Sequence, residues 1–243
     1  MPLSSSFFLH LRRNPKRLSQ IRWAHRTNFK KRFFLALSYK YTDALEVDLI
    51  SMQGVNVRIG HDLLDSSDLD LDTFFAGVRR TKKIIKLDFK DPVSLQELGR
   101  VVRTRNPWIK NKAVIVNADV LKGPGGKEAK FIPKEFFRLV RKNFPFAAIS
   151  LGWTTSLSEK PLGYTSRDLS RMMELVRYFK RAEEKFFIAV RASFFRQSRQ
   201  ALRSLLFSRS VFLSFWESQI QLKSSEKKFI YESDLSDKSW YAF

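Results

Sequence analysis

Apolar and polar residues alternate in several short runs of this chain, which is the pattern of β-strands with one polar face. In residues 44–49, Glu46 and Asp48 stand two apart, so on a strand both side chains project from one face and the apolar residues between them from the other. Residues 85–90 and 114–119 repeat the pattern. Buried strands of α/β proteins are normally near-continuous apolar runs, and ionised groups in them are costly unless paired or bound to a metal. These runs therefore predict the rim of a polar site.

The chain as a whole predicts strands that alternate with helices. The predicted strands cover residues 21–25, 44–50, 84–89, 113–117, 147–152, 187–191, 211–216 and 229–232, with a further strand at 55–59 after a turn. The predicted helices cover residues 28–38, 72–79, 92–103, 133–143, 166–179 and 194–206. This alternation predicts one α/β domain over residues 20–243, a (β/α)8 barrel of the TIM type, with an open doubly wound sheet as the alternative.

The polar residues of these runs fall where the predicted strands end. The active site of a (β/α)8 barrel lies at the carboxyl ends of its strands. The residues that meet this condition are His25, Glu46, Asp48, Asp88, Lys90, Asn117, Asp119 and Trp153. Agreement among five strands favours a common site, although Trp153 also suits the apolar core.

Composition narrows the chemistry that such a site can perform. The chain has no Cys, which excludes disulfides, thiolate nucleophiles and thiolate metal sites. Its three histidines, His10, His25 and His61, are too few for a zinc centre built on several histidines. Oxygen ligands for Mg²⁺ or Ca²⁺ remain available. No apolar run approaches the length of about 18 residues that a membrane span needs.

The net charge of +21 is concentrated at the start of the chain. Residues 1–42 contain ten Lys or Arg and no acidic residue. Within them, residues 1–19 are basic and contain several serines, which is typical of a mitochondrial targeting segment, and a disordered basic tail is the alternative. We therefore expect the mitochondrial matrix if the segment is a transit peptide, and the cytoplasm otherwise. Elsewhere the basic residues are dispersed over predicted helices, which argues against a dedicated nucleic-acid groove.

The candidate residues suit phosphodiester chemistry. Glu46, Asp48 and Asp88 offer the three carboxylates that a hard divalent cation requires. His25 and His61 can act as acid and base near neutral pH. Lys86 or Lys90 could hold a phosphate oxygen, and Asn117 and Trp153 could line the same pocket. A metal that polarises a phosphoryl group, with histidines that move protons, is a known arrangement for phosphate-ester cleavage.

Several of these motifs together resemble the menorin family. The resemblance rests on residues 23–28 (WAHRTN), 85–90 (IKLDFK), 117–124 (NADVLKGP) and 150–155 (SLGWTT), in consistent order over about residues 20–233. Residues 44–49 followed by His61-Asp62 also resemble glycerophosphodiester phosphodiesterases and phospholipase D-type toxins. These belong to the phosphatidylinositol-phospholipase-C-like barrels, a fold that menorins share.

The resemblance implies roles for individual residues. The metal ligands would be Glu46, Asp48 and Asp88, the catalytic pair His25 and His61, and the phosphate contact Lys90. In the superfamily a glycine usually follows His-Arg, but this chain has Thr27 at that position.

The sequence therefore predicts a metal-dependent phosphodiesterase, a hydrolase or lyase that acts on a small or lipid-derived phosphodiester. The alternative is a non-catalytic menorin-type interaction protein that retains the barrel. A basic nucleic-acid-binding protein is a weaker third interpretation.

Overall fold

A curled, mostly parallel sheet forms the centre of the molecule. The computed structural model describes residues 21–52, 56–156, 162–181, 184–206 and 211–216. The strands are β1 (Trp23–Ala24), β2 (Ala44–Met52), β3 (Asn56–Ile59), β4 (Ile84–Phe89), β5 (Val114–Lys122), β6 (Ala148–Thr154), β7 (Phe186–Arg191) and β8 (Val211–Trp216). They pair in the order β1-β2-β4-β5-β6-β7-β8, all parallel, while β3 pairs antiparallel with β2.

Helices connect the parallel strands and cover the outside of the sheet. They are α1 (Lys30–Ser38), α2 (Leu71–Arg79), α3 (Pro92–Arg105), α4 (Pro133–Asn143), α5 (Ser166–Phe179) and α6 (Phe195–Leu206), with 3-10 turns at Pro107–Asn111 and Ala192–Phe194. Local chemistry marks their starts: Asp91 accepts a hydrogen bond from the Ser94 backbone N–H at the start of α3. Thr165 and Asp168 form a capping box on α5. Among the described residues, no helix has the length and apolar character that crossing a bilayer requires.

The two faces of the strands differ in what they bury. The outward residues of β2, such as Leu45, Val47 and Leu49, pack in the large apolar cluster under the helices. A second apolar cluster lies among inward residues near the amino ends of the strands: Ile21, Ala44, Ile84, Ala113, Ile115, Ala148 and Phe187. The inward positions nearer the carboxyl ends carry the polar residues.

The register aligns these polar residues in a row. Asp48 of β2 stands opposite Asp88 of β4, Asp88 opposite Asn117 of β5, and Asn117 opposite Ser150 of β6. Four neighbouring strands therefore present one polar side chain each at the same level, above the apolar floor of the curled sheet.

The curl brings the two edge strands of the sheet towards each other. The ring of His25, directly after β1, lies 6.0 Å from the ring of Trp216 at the end of β8, centroid to centroid. In the part of the chain that the structure describes, no backbone pairing joins β1 to β8, so the sheet forms a curled half-barrel. The predicted α/β alternation is confirmed, and the predicted strand at 229–232 lies outside the described residues.

Candidate active site at the carboxyl ends of the strands

Three carboxylates predicted as metal ligands converge where Glu46 and Asp48, in the first half of β2, lie beside Asp88 near the carboxyl end of β4. Glu46, Asp48 and Asp88 each have an oxygen within 4.8 Å of the others. The side chains of Glu46 and Asp48 are almost fully buried, and that of Asp88 is 14% exposed. Such a cluster requires cations or hydrogen-bond donors, because buried carboxylates repel one another and lose their hydration.

Lys90, one residue past β4, supplies positive charge to two of these carboxylates. Its Nζ lies 2.8 Å from Oδ1 of Asp48 and 2.7 Å from Oδ2 of Asp88. Arg26 adds a second cation, with Nε 3.5 Å from Oδ2 of Asp48. Both lie at the rim, with side chains 19% and 34% exposed, respectively.

Glu46 is held between a lysine and a histidine. Lys86 Nζ lies 3.0 Å from Oε1 of Glu46, and His25 Nε2 lies 3.1 Å from Oε2. Burial by itself lowers the pKa of Lys86, but the charges of Glu46 and Asp88 outweigh it, so the pKa is raised overall and the ammonium form is retained. The contact with Glu46 through Nε2 leaves Nδ1 of His25 as its other proton-transfer atom.

The segment between β1 and α1 positions the acidic strand. The backbone N–H and the hydroxyl of Thr27 both donate to the carbonyl oxygen of Glu46, at 2.8 and 2.7 Å. Asn28 Nδ2 donates to Oδ2 of Asp48 at 2.7 Å. Arg26 adopts a φ of 51°, a conformation that L-residues rarely adopt, next to His25. Thr27 therefore uses its side chain as well as its backbone to hold the strand.

A loop after β3 carries His61 to the same side of the sheet. Arg58 organises this loop by donating to the carbonyl oxygens of Asp62, Leu63 and Asp65 at 2.8 to 3.0 Å. The backbone N–H of His61 in turn donates to Oδ2 of Asp65 at 2.8 Å. A strand residue on the antiparallel hairpin thus fixes the position of a candidate catalytic residue.

The charged residues of the cluster shift the pKa of His61. Burial lowers the pKa of His61, the positive charges of Lys90 and Arg26 lower it further, and Asp48 opposes them. The net result is a pKa below the usual value for histidine. His61 is therefore largely neutral near pH 7 and able to accept a proton.

Asp48 and Lys90 have opposite shifts that reflect their contact. Burial alone would raise the pKa of Asp48, but the charge and hydrogen bond of Lys90 and the hydrogen bond of Asn28 hold it well below its usual range. Burial alone would lower the pKa of Lys90, but Asp48 and Asp88 raise it far above the usual value. Both groups are charged at neutral pH.

Asp119, on β5, is a titratable group whose sequence position predicts a place at the rim but no particular role. Burial first, and then the negative charge of Asp88, raise the pKa of Asp119 to about 7. Gly152, its partner across the sheet, leaves room for it, since a Cβ built there would lie 2.3 Å from Oδ1 of Asp119. A signal was present in the sequence, because Asp119 follows Asn117 by two positions and so shares its face.

Asn117 and Ser150 continue the buried polar row beside the cluster. Asn117 Nδ2 donates to Oδ1 of Asp88 at 2.6 Å, so Asn117 orients a candidate ligand. Its own Oδ1 and the Oγ of Ser150 are buried and have no hydrogen-bond partner among the described residues. Trp153 does not join this group: its side chain packs in the core against Tyr164, with ring centroids 4.6 Å apart. The strand period gives the reason, because Trp153 faces away from Ser150 and Gly152.

A cleft of about 950 Å³ lies elsewhere, between α1 and α2. Its lining includes Phe34, Leu35 and Ala76, with Lys31 and Arg80. None of the described residues that line it is a carboxylate or a histidine, so the lining does not share the chemistry of the acidic cluster.

The fold and the cluster together define an α/β protein whose parallel strands carry a buried acidic cluster paired with lysines. Residues 17–241 match the Menorin N-terminal domain family, and the chain belongs to that family. It is similar to human Protein FAM151B, with 28% identity over 194 residues that cover 77% of this chain and 68% of the human protein. The menorin part of the resemblance is thereby confirmed.

Proposed function

We propose that this protein is a divalent-metal-dependent phosphodiesterase that acts on a small or lipid-derived phosphodiester. The observation that carries the proposal is the convergence of Glu46, Asp48 and Asp88 to within 4.8 Å, with His25 and Lys90 in direct contact with them. Residues from three separate segments of the chain thus meet on the side of the sheet where parallel α/β folds place their active sites.

The donor set suits a hard divalent cation, Mg²⁺ or Ca²⁺. Opposite oxygen ligands lie about 4.6–5.2 Å apart around Ca²⁺ and about 4.0–4.2 Å apart around Mg²⁺. The three oxygens lie within 4.8 Å of one another, which is inside the largest separation that Ca²⁺ permits, whereas Mg²⁺ would require a closer approach. The buried Oδ1 of Asn117, which has no partner in the part of the chain that the structure describes, offers one more oxygen beside Asp88. Bound there, the cation would polarise the phosphoryl group of the substrate.

The two histidines would divide the proton transfers. His61, with its lowered pKa, is suited to accept a proton or to attack phosphorus as the neutral imidazole. His25, whose Nε2 is held by Glu46 at 3.1 Å, presents its other ring nitrogen, Nδ1, for the second proton transfer. Lys90 lies at the rim, where its ammonium group can meet a phosphate oxygen.

A panel of glycerophosphodiesters and lysophospholipids, assayed with Mg²⁺ and with Ca²⁺, tests this function. The wild-type protein should cleave at least one substrate above background. His25→Ala and His61→Ala should each remove most of the activity and the double variant little more, because the two act as a unit. His10→Ala, which replaces the third histidine, is the matched control. Full activity in either single variant would refute the assignment of roles.

A non-catalytic interaction protein is the second candidate function. The observation that favours it is the internal pairing of every carboxylate in the cluster, with Lys86, Lys90 and Arg26 as partners. A cluster balanced in this way could serve as a structural support for the strand ends. Inactivity of well-folded protein over the whole substrate panel would shift the conclusion to this function.

We also infer that the curled sheet belongs to a closed (β/α)8 barrel. The 6.0 Å approach of the His25 and Trp216 rings, at the ends of the two edge strands, supports closure. An experimental structure with backbone pairing between β1 and a strand at its free edge would establish it.

A further inference from the structure

Lys90 occupies the position between two carboxylates that a bound cation would need. Its Nζ is within 2.8 Å of an oxygen of Asp48 and within 2.7 Å of an oxygen of Asp88. The side chain is 19% exposed and reaches the cluster from the rim. Its backbone N–H donates to the carbonyl oxygen of Leu49 at 2.8 Å, which anchors the residue at the base of a four-carbon stem with several rotatable bonds.

The remaining carboxylate oxygens of the cluster are also engaged. Those of Glu46 contact Lys86 and His25, as described above. The second oxygen of Asp48 accepts from Asn28, and that of Asp88 accepts from Asn117. Three carboxylates thus face three permanent cations, which are Lys86, Lys90 and Arg26. Each of the three carboxylates is therefore paired with a cation from the chain itself.

A divalent cation could not simply add to this arrangement. Its charge would stand within a few ångströms of the Lys90 ammonium in a poorly hydrated site, where like charges repel strongly. Lys86 is a weaker obstacle, because it contacts only Glu46 among the three carboxylates. Lys90 contacts two of them, and the cation and the ammonium compete for the same oxygens.

We propose that Lys90 is an internal competitor of the divalent cation. In the metal-free protein its ammonium group holds Asp48 and Asp88 together, and it leaves these oxygens when the cation binds. The inference rests on the metal site of the proposed function and adds to it a built-in limit on metal affinity. Replacement of Lys90 by a neutral residue of similar length should therefore strengthen cation binding, whereas loss of a distant lysine should not.

Calorimetric titration with Mg²⁺ and Ca²⁺ tests the competition on wild-type protein, Lys90→Met and Lys30→Met. Lys30 is the matched control, because it pairs on the surface with Asp70 at 3.6 Å and its loss removes the same unit of charge. Lys90→Met should bind the cation about tenfold more tightly or better, since its two oxygens are released from the ammonium. Lys30→Met should bind as the wild type does.

Thermal unfolding gives a second measurement. In EDTA, Lys90→Met should unfold at a lower temperature than wild type, because Asp48 and Asp88 then repel each other without a cation. Addition of Ca²⁺ should raise its midpoint more than that of the wild type. Lys90→Gln provides a second variant if Lys90→Met fails to fold in EDTA, and recovery of folding by Ca²⁺ supports the proposal for either variant.

Three outcomes would overturn the competition. In the first, the wild type binds the cation at least as tightly as both Lys90 variants do. This result would leave the metal site of the proposed function intact. Another is the absence of binding in all proteins, and the third is variants that stay unfolded with and without Ca²⁺. If the binding pattern is as expected and the substrate panel shows no cleavage, the phosphodiesterase function fails alone.

Discussion

Asn28 and Asp48 are joined by two hydrogen bonds that run in opposite directions. Nδ2 of Asn28 donates to Oδ2 of Asp48 at 2.7 Å, and the backbone N–H of Asp48 donates to Oδ1 of Asn28 at 3.0 Å. Both residues are buried. Since Asn28 lies just before α1 and Asp48 lies within β2, the pair ties the first βα connection to the acidic cluster.

Asn28→Ala should destabilise the protein because it removes both bonds, one of them to a charged group. We expect a loss of about 2–4 kcal/mol in the free energy of unfolding. Urea denaturation measures it, with Asn111→Ala at an exposed position as the control. Equal stability of the two variants would contradict a structural role for the pair.

Lys86→Met should be more destabilising than the loss of a surface lysine. It leaves the buried carboxylate of Glu46 without its ammonium partner, which costs about 3–5 kcal/mol in comparable cases. The double variant with Glu46→Gln should recover part of this loss, because no charge then remains unpaired. Chemical denaturation of wild type, the two single variants and the double variant gives the coupling free energy.

The control for the Lys86 replacement is Lys122→Met. Lys122 pairs with Glu128 at 2.9 Å on the surface, where ion pairs contribute about 0–1 kcal/mol. If Lys86→Met were as stable as Lys122→Met, the buried pair would not be needed for folding.

Asp119→Asn should change how stability depends on pH. The pKa of Asp119 is raised from 3.8 to about 7, so the folded protein keeps a proton that the unfolded chain has lost over this range. Wild-type stability should therefore fall as the pH rises from about 4 to 7, and the asparagine variant should not show this loss. In EDTA, the melting temperature of the variant relative to wild type should be higher at pH 8 than at pH 5.

Asp72→Asn, at an exposed carboxyl group of α2, controls for the removal of one negative charge. A difference between Asp119→Asn and wild type that is the same at both pH values would show that Asp119 does not keep its proton on folding.

The basic segment at the start of the chain remains predicted to direct import into mitochondria. A fluorescent protein fused to residues 1–30 should label mitochondria, because residues 1–19 have the acid-free, arginine-rich composition of transit peptides. Replacement of Arg12, Arg13, Lys16 and Arg17 by glutamine should abolish the labelling. A cytosolic signal from the unaltered fusion would contradict the prediction.

The convergence of the three carboxylates was predictable because it follows from local rules. A strand projects alternate residues to one face whatever its neighbours are, so Glu46 and Asp48 had to share a face and Asp88 had to lie on its own polar face. Parallel strands place their carboxyl ends together, which brought these faces to one rim. The same period separates Trp153 from the polar row.

The partners of these residues depended on the tertiary structure. Asn28 lies 20 residues from Asp48, and no sequence pattern connects the two. The role of Arg58 in holding the His61 loop follows from the antiparallel return of β3 along β2.

The sequence by itself determined the alternation of strands and helices, the faces of the strands and the polar rim, because these features depend on a period of two and on apolar patterning along the chain. The tertiary structure decided the charge state of the site. Lys90 pairs with both Asp48 and Asp88, and the pKa of Asp119 is raised to about 7, because register, curl and burial set how far each charge lies from its neighbours and from water.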